Sequence, residues 1–102
     1  MAEVFLGTDL KIKVDLQCEG FSMVDDDFSV DIKCGKITRT YAKDNTAWVK
    51  DENDDYYLCL PTDGLSGLVS MVATLYVPDE DFADSNIRRE VVKQDLFMVK
   101  KP

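Results

Sequence analysis

Leu10-Lys11-Ile12-Lys13-Val14-Asp15-Leu16-Gln17-Cys18 alternates apolar and polar residues without a break. Ten positions further on, Phe28-Ser29-Val30-Asp31-Ile32-Lys33-Cys34 does the same. A period of two sends the apolar residues of each run to one face of a strand and the charges to the other. One dry face and one wet face is the signature of antiparallel strands, because strands of a parallel sheet are covered on both sides and read as unbroken apolar runs. The two stretches therefore predict an all-β chain, with strands over residues 9–18 and 28–34.

The neighbouring sequence extends the pattern. Gly35 breaks the second strand, and Ile37, Arg39 and Tyr41 alternate with Thr38 and Thr40 in a short run rich in β-formers. Asp44-Asn45 marks a turn before a short strand over 47–49, which contains Trp48, the largest apolar side chain in the sequence. Asp51 to Asp55 reads as a charged hairpin tip, and Tyr56 to Leu60 as a strand covered on both faces. In the connection Pro61 to Gly67, Thr62 can cap one turn of helix that Gly67 ends, with Leu65 plugging the core. Val69, Met71, Ala73, Leu75 and Val77 then alternate through a strand whose other face carries Leu68, Val72 and Tyr76. That second apolar face marks a central strand, or one whose outer side meets a partner. Pro78 to Asp84 is an acidic loop. The last strand covers about 88–100, where Val92, Leu96 and Met98 fall on one parity and Val91, Phe97 and Val99 on the other. A bulge near Gln94-Asp95 would reconcile them. About seven strands at short spacing, with no sustained helical period, predict a single domain over residues 1–102 built as a sandwich or small barrel.

Composition bounds the function. A chain of 102 residues is long enough for one core, and 45% apolar residues are ordinary for a globular protein. The net charge of -8 argues against nucleic acid, whose binding needs clustered Lys and Arg, and against anionic membrane surfaces. Mimicry of nucleic acid needs carboxylates spaced along a face, whereas these crowd into loops. The start, MAEVFLGTDLKIK, has neither the basic and apolar regions of a secretory signal nor a cleavage site, and no run suits a bilayer span. Three cysteines, Cys18, Cys34 and Cys59, match no metal-binding spacing and are odd in number. They read as small buried thiols of a reducing compartment. A Cys18–Cys34 bridge between neighbouring strands is the alternative.

Histidine is absent, which removes Ser-His-Asp and Cys-His catalysis and the commonest zinc ligand. The expectation is a chain that is not an enzyme, with no catalytic residues, no metal and no cofactor. Three acidic clusters, Asp25 to Asp27, Asp51 to Asp55 and Asp79 to Asp84, invite a calcium reading. The middle one opens like an EF-hand but places Tyr56 at the obligatory glycine and Thr62 at the bidentate glutamate. Acidic loop tips are more often solubilising turns. A glycosidase would need two acids about 5–10 Å apart in a cleft, which loop tips do not offer. Trp48, Tyr56 and Tyr57, with Phe21 and Tyr76, are candidates for a sugar-stacking platform, against the plainer reading that Trp48 and one tyrosine are core.

From Tyr56 the chain reads YYLCLPTDGLSGLVSMVATLYVPDEDFADSNIRREVVKQDLFMV, after opening strands GTDLKIKV and DDFSVDI. This order, with Thr62, Asp63, Gly67, Pro78 and Asp79 as its most specific positions, resembles small immunoglobulin-like structural proteins of Bacteroidetes phages and prophages. It is also similar to the N-terminal domain of phage upper-baseplate proteins. The resemblance implies an immunoglobulin-like antiparallel β-sandwich that works through protein–protein contacts with other virion or tail proteins, as a homo-oligomer or beside them. It implies a location in the virion after assembly in the bacterial cytoplasm. None of the matching positions is catalytic. Leu68, Val72 and Tyr76, with Phe97 and Val99 beside them, are the expected interface, unless they face a second sheet. The competing reading is an adhesion-type sandwich that binds carbohydrate or calcium.

Overall fold

The computed structural model describes residues 2–102 and contains eight strands. These are β1 (Ala2–Phe5), β2 (Asp9–Val14), β3 (Asp27–Cys34), β4 (Ile37–Ala42), β5 (Trp48–Lys50), β6 (Tyr56–Pro61), β7 (Gly67–Pro78) and β8 (Ile87–Lys100). They form a five-stranded sheet in the order β1-β8-β7-β3-β4 and a three-stranded sheet in the order β2-β6-β5. The architecture is all-β and sandwich-like, with two separate sheets where a barrel would have one closed sheet. Every pairing is antiparallel except β1 with β8, which is parallel.

Alternation becomes layering in the two central strands. Phe28, Val30, Ile32 and Cys34 of β3 point inward, as do Val69, Met71, Ala73, Leu75 and Val77 of β7. Tyr56, Leu58 and Leu60 of β6 face them from the other sheet. Phe28 holds the centre. Its ring meets Trp48 edge-on at 5.2 Å and Tyr56 edge-on at 5.5 Å, contacts worth about 0.5–1.5 kcal/mol each beyond the area they bury. The Trp48 indole N–H donates to the Tyr41 carbonyl at 3.4 Å, so β5 of one sheet is tied to β4 of the other.

Three expectations change. Eight strands replace seven because β1 exists. Its four residues are too few to show a period, and its partner β8 lies at the far end of the chain. The first alternating run ends as a strand at Val14, not at residue 18, because β6 begins at Tyr56, opposite Val14, and offers no partner beyond it. Leu16 is still buried, and its N–H points at the Met23 sulfur at 3.3 Å. Thr62 to Leu65 forms a turn closed by Leu65 N–H on the Thr62 carbonyl at 2.9 Å, with no helical turn, although Leu65 does plug the core. The bulge expected in β8 is present, beside Gln94-Asp95. Val69 pairs with Phe97 and Ser70 with Asp95, which leaves Leu96 as the extra residue.

The cysteines are free thiols. Cys34 is buried, with its Sγ 3.2 Å from the Ser66 carbonyl, whereas Cys18 and Cys59 are only half-buried. Cys59 falls on the outward parity of β6, between the inward Leu58 and Leu60.

Candidate interaction surface

The outer face of the five-stranded sheet is built around β7, which is flanked by β3 and β8. Since β7 buries its odd-numbered residues, Leu68, Ser70, Val72, Thr74 and Tyr76 line the opposite side. Leu68 is 42% exposed, while Val72 and Tyr76 are half-covered by their cross-strand neighbours. These apolar residues face away from the three-stranded sheet.

Phe97 and Val99 do not share this face. They are 6% and 4% exposed and belong to the core. The cause is the extra residue at Leu96, which reverses the parity of β8 between Asp95 and Phe97. N-terminal to the bulge, Arg89, Val91, Lys93 and Asp95 look outward. Beyond it Met98 does, opposite Leu68. The face therefore gains Met98 and the 65%-exposed Val91 in place of Phe97 and Val99. Phe5 of β1, 61% exposed and paired with Lys100, extends it at the sheet edge. Residue parity alone could have suggested Val91, but Phe5 needed the unseen strand β1.

The aromatic candidates separate as well. Tyr56 is buried, and Trp48 is half-buried against Phe28 and Tyr56. Tyr57 lies on the outward parity of β6, where the Lys11 ammonium sits 5.2 Å from its ring centre. Trp48, Tyr56 and Tyr57 thus do not present one flat platform. Among the described residues, no three Asp, Glu, Cys or His side chains come together in an arrangement that holds a metal ion. The acidic loops instead spend oxygens on their own backbones. The Asp51 carboxylate accepts from the N–H groups of Asn53 and Asp55 at 2.9 and 3.0 Å, and that of Asp79 from the N–H of Asp81 at 3.0 Å. Asp79 also pairs with Arg88 at 3.1 Å, and Arg88 bonds Glu90.

Fold and surface together define an all-β, two-sheet protein with a mixed apolar and charged outer face. Comparison with protein-family models, with curated proteins and with solved structures finds no match.

Proposed function

We propose that the chain is a non-enzymatic structural module of a phage or prophage particle, of the virion, tail or baseplate, acting through protein–protein contacts. The observation that carries this reading is the row Leu68, Val72 and Tyr76 on the outward side of the central strand β7. A row of apolar side chains on the outward side of a central strand, opposite the core, is the kind of contiguous patch that packs against a neighbour. The resemblance of the strand order and of the Thr62, Asp63, Gly67, Pro78 and Asp79 positions to phage structural proteins supplies the biological setting.

Within this reading the fold is an immunoglobulin-like sandwich. The sheet β2-β6-β5 corresponds to the B-E-D sheet of that fold, and β8-β7-β3-β4 to its G-F-C-C′ sheet. The parallel strand β1 corresponds to the first strand laid against the last.

The test is particle proteomics. Particles induced from cells that carry the gene are purified through a density gradient, and peptides of this chain are sought in the particle band. Presence is expected, with loss of the chain from the band in a Tyr76→Asp variant whose melting temperature is unchanged. Particles that lack the wild-type chain would sink the proposal.

A further inference from the structure

The register of β3 and β8 against β7 arranges the charges of the outer face in rows. Lys33, Ser70 and Asp95 form one row; Asp31, Val72 and Lys93 the next; Asp27, Tyr76 and Arg89 a third. In each of these three rows the β3 residue and the β8 residue carry opposite charges, while the row between the second and the third, Ser29, Thr74 and Val91, carries none. The three basic and three acidic side chains balance to zero, in a chain whose net charge is -8. Within one chain the two flanking strands stand about 9.6 Å apart across β7. Among the described residues, none of the six takes part in an ion pair.

We infer that this face pairs with the same face of a second copy, about a two-fold axis running along β7. The inference rests on the reading of the chain as an assembly module and names its partner. A rotation of 180° about that axis lays β3 of one copy over β8 of the other. Lys33 then meets Asp95 of the second copy, Asp31 meets its Lys93 and Asp27 meets its Arg89. Each pairing occurs twice, as an isologous interface requires. Leu68, Ser70, Val72, Thr74 and Tyr76 lie on the axis and meet their own counterparts, giving a centre of three apolar side chains and two hydroxyls with a charged rim.

Twist favours the middle row. Aligned sheets pack at about 30°, which displaces residues one strand from the axis by about 2–3 Å along the strand, against about 6.8 Å between same-face neighbours. It also moves the crossing strands apart sideways by about 5 Å at the rows of Ser70 and Tyr76, about 10 Å from the midpoint, so Asp31 and Lys93 lie closest to register and the outer pairings depend on the reach of the Lys33 and Arg89 side chains. An axis across the strands does less well. Passing between the rows of Ser70 and Val72, it sets Lys33 over Asp31 and Asp95 over Lys93 but leaves Asp27 and Arg89 unmatched. Passing through the row of Val72, it stacks Asp31 on Asp31. Only the axis along β7 serves all three rows.

The experiment uses two single variants, Lys93→Asp and Asp31→Lys, and follows the monomer–dimer equilibrium by sedimentation with a melting curve for each protein. Wild type is expected to dimerise. Each variant alone opposes like charges twice and should weaken its dimer by at least about tenfold. Mixing the two variants should restore a heterodimer of near wild-type affinity, because Asp at 93 of one copy then faces Lys at 31 of the other. Lys11→Asp, on the three-stranded sheet, should leave the equilibrium unchanged. Wild type that stays monomeric at millimolar concentration would overturn the pairing, and so would variants that dimerise unchanged. Recovery in Lys93→Asp/Asp95→Lys rather than in the mixture would overturn the axis. The particle experiment reads the assembly role separately: a chain found in particles but monomeric in solution loses the second copy and keeps the role.

Discussion

Thr62 Oγ1 donates to the carbonyl of Thr8 at 2.8 Å and accepts the Gly7 N–H at 2.9 Å. Thr62 is fully buried, the one buried polar side chain among the described residues. Its hydroxyl fastens the turn between β1 and β2 to the end of β6, at the place where the chain crosses from one sheet to the other. Gly7 holds that turn at a φ of +99°, where an L side chain is strained. Thr62→Val keeps the shape and strands the Gly7 donor, at an expected cost of about 1–3 kcal/mol. Thr62→Ser keeps the hydroxyl and should cost about 1 kcal/mol for the lost methyl. Urea unfolding at constant slope measures both; a valine variant no weaker than the serine one would refute the clamp.

Two faces of the same sheet separate by mutation. At concentrations low enough to keep the chain monomeric, Val72→Asp on the outer face should change stability by no more than about 1 kcal/mol. Phe97→Asp puts an unpaired charge among core side chains and should abolish cooperative unfolding, because a buried ion without a partner costs several kcal/mol against a total of about 5–15 kcal/mol. Melting curves followed by the fluorescence of Trp48 distinguish them. Equal damage from the two substitutions would place Val72 in the core.

Most strands legible in the sequence are those whose period is long enough to see; the three-residue β5 is legible instead from Trp48 standing between two turn signals. β3 and β7 alternate over many residues and pair with each other in a register that keeps their buried parities on one face. The outward row Leu68, Val72 and Tyr76 follows from the parity of β7 alone. Phe97 and Val99 were misplaced because one inserted residue, Leu96, flips every side chain that follows, and parity cannot say where within a few residues the insertion sits. β1 escaped because four residues show no period and their partner is nearly the whole chain away. The charge rows are illegible for a related reason. Lys33 and Asp95 face a common neighbour only once the registers of two separate pairings are known.

The three thiols are expected to differ in reactivity. Cys34 is buried and held at the Ser66 carbonyl, so alkylation waits for a local opening, whereas Cys18 and Cys59 are half-exposed. An opening that costs about 3 kcal/mol would slow Cys34 by about a hundredfold relative to them. Timed labelling with iodoacetamide under native conditions, read by mass spectrometry of the peptides, gives the three rates. Uniform rates would mean that the Cys34-Gly35 end of β3 opens freely.

The extra residue of β8 is expected to set the register of the whole sheet edge. With Leu96 present, Phe97 and Val99 enter the core, and β1 pairs with the outermost stretch of β8 from Phe97 to Lys100. Deleting Leu96 leaves the chain two options. Phe97 and Val99 turn outward, each forfeiting about 1.5–3 kcal/mol of burial, or β8 slides against β7 and displaces the turn at Asp79 to Asn86. Either loss is a large part of a stability of about 5–15 kcal/mol. Leu96→Ala keeps the residue count and removes only a half-buried side chain, for about 1–2 kcal/mol. The measurement is a pair of urea titrations with amide hydrogen exchange on β1. The deletion should lose protection at Val4 and cooperative unfolding together, while the alanine variant keeps both. If the deletion unfolds no more easily than Leu96→Ala, the bulge is a passive irregularity and the burial of Phe97 and Val99 is fixed by their own packing.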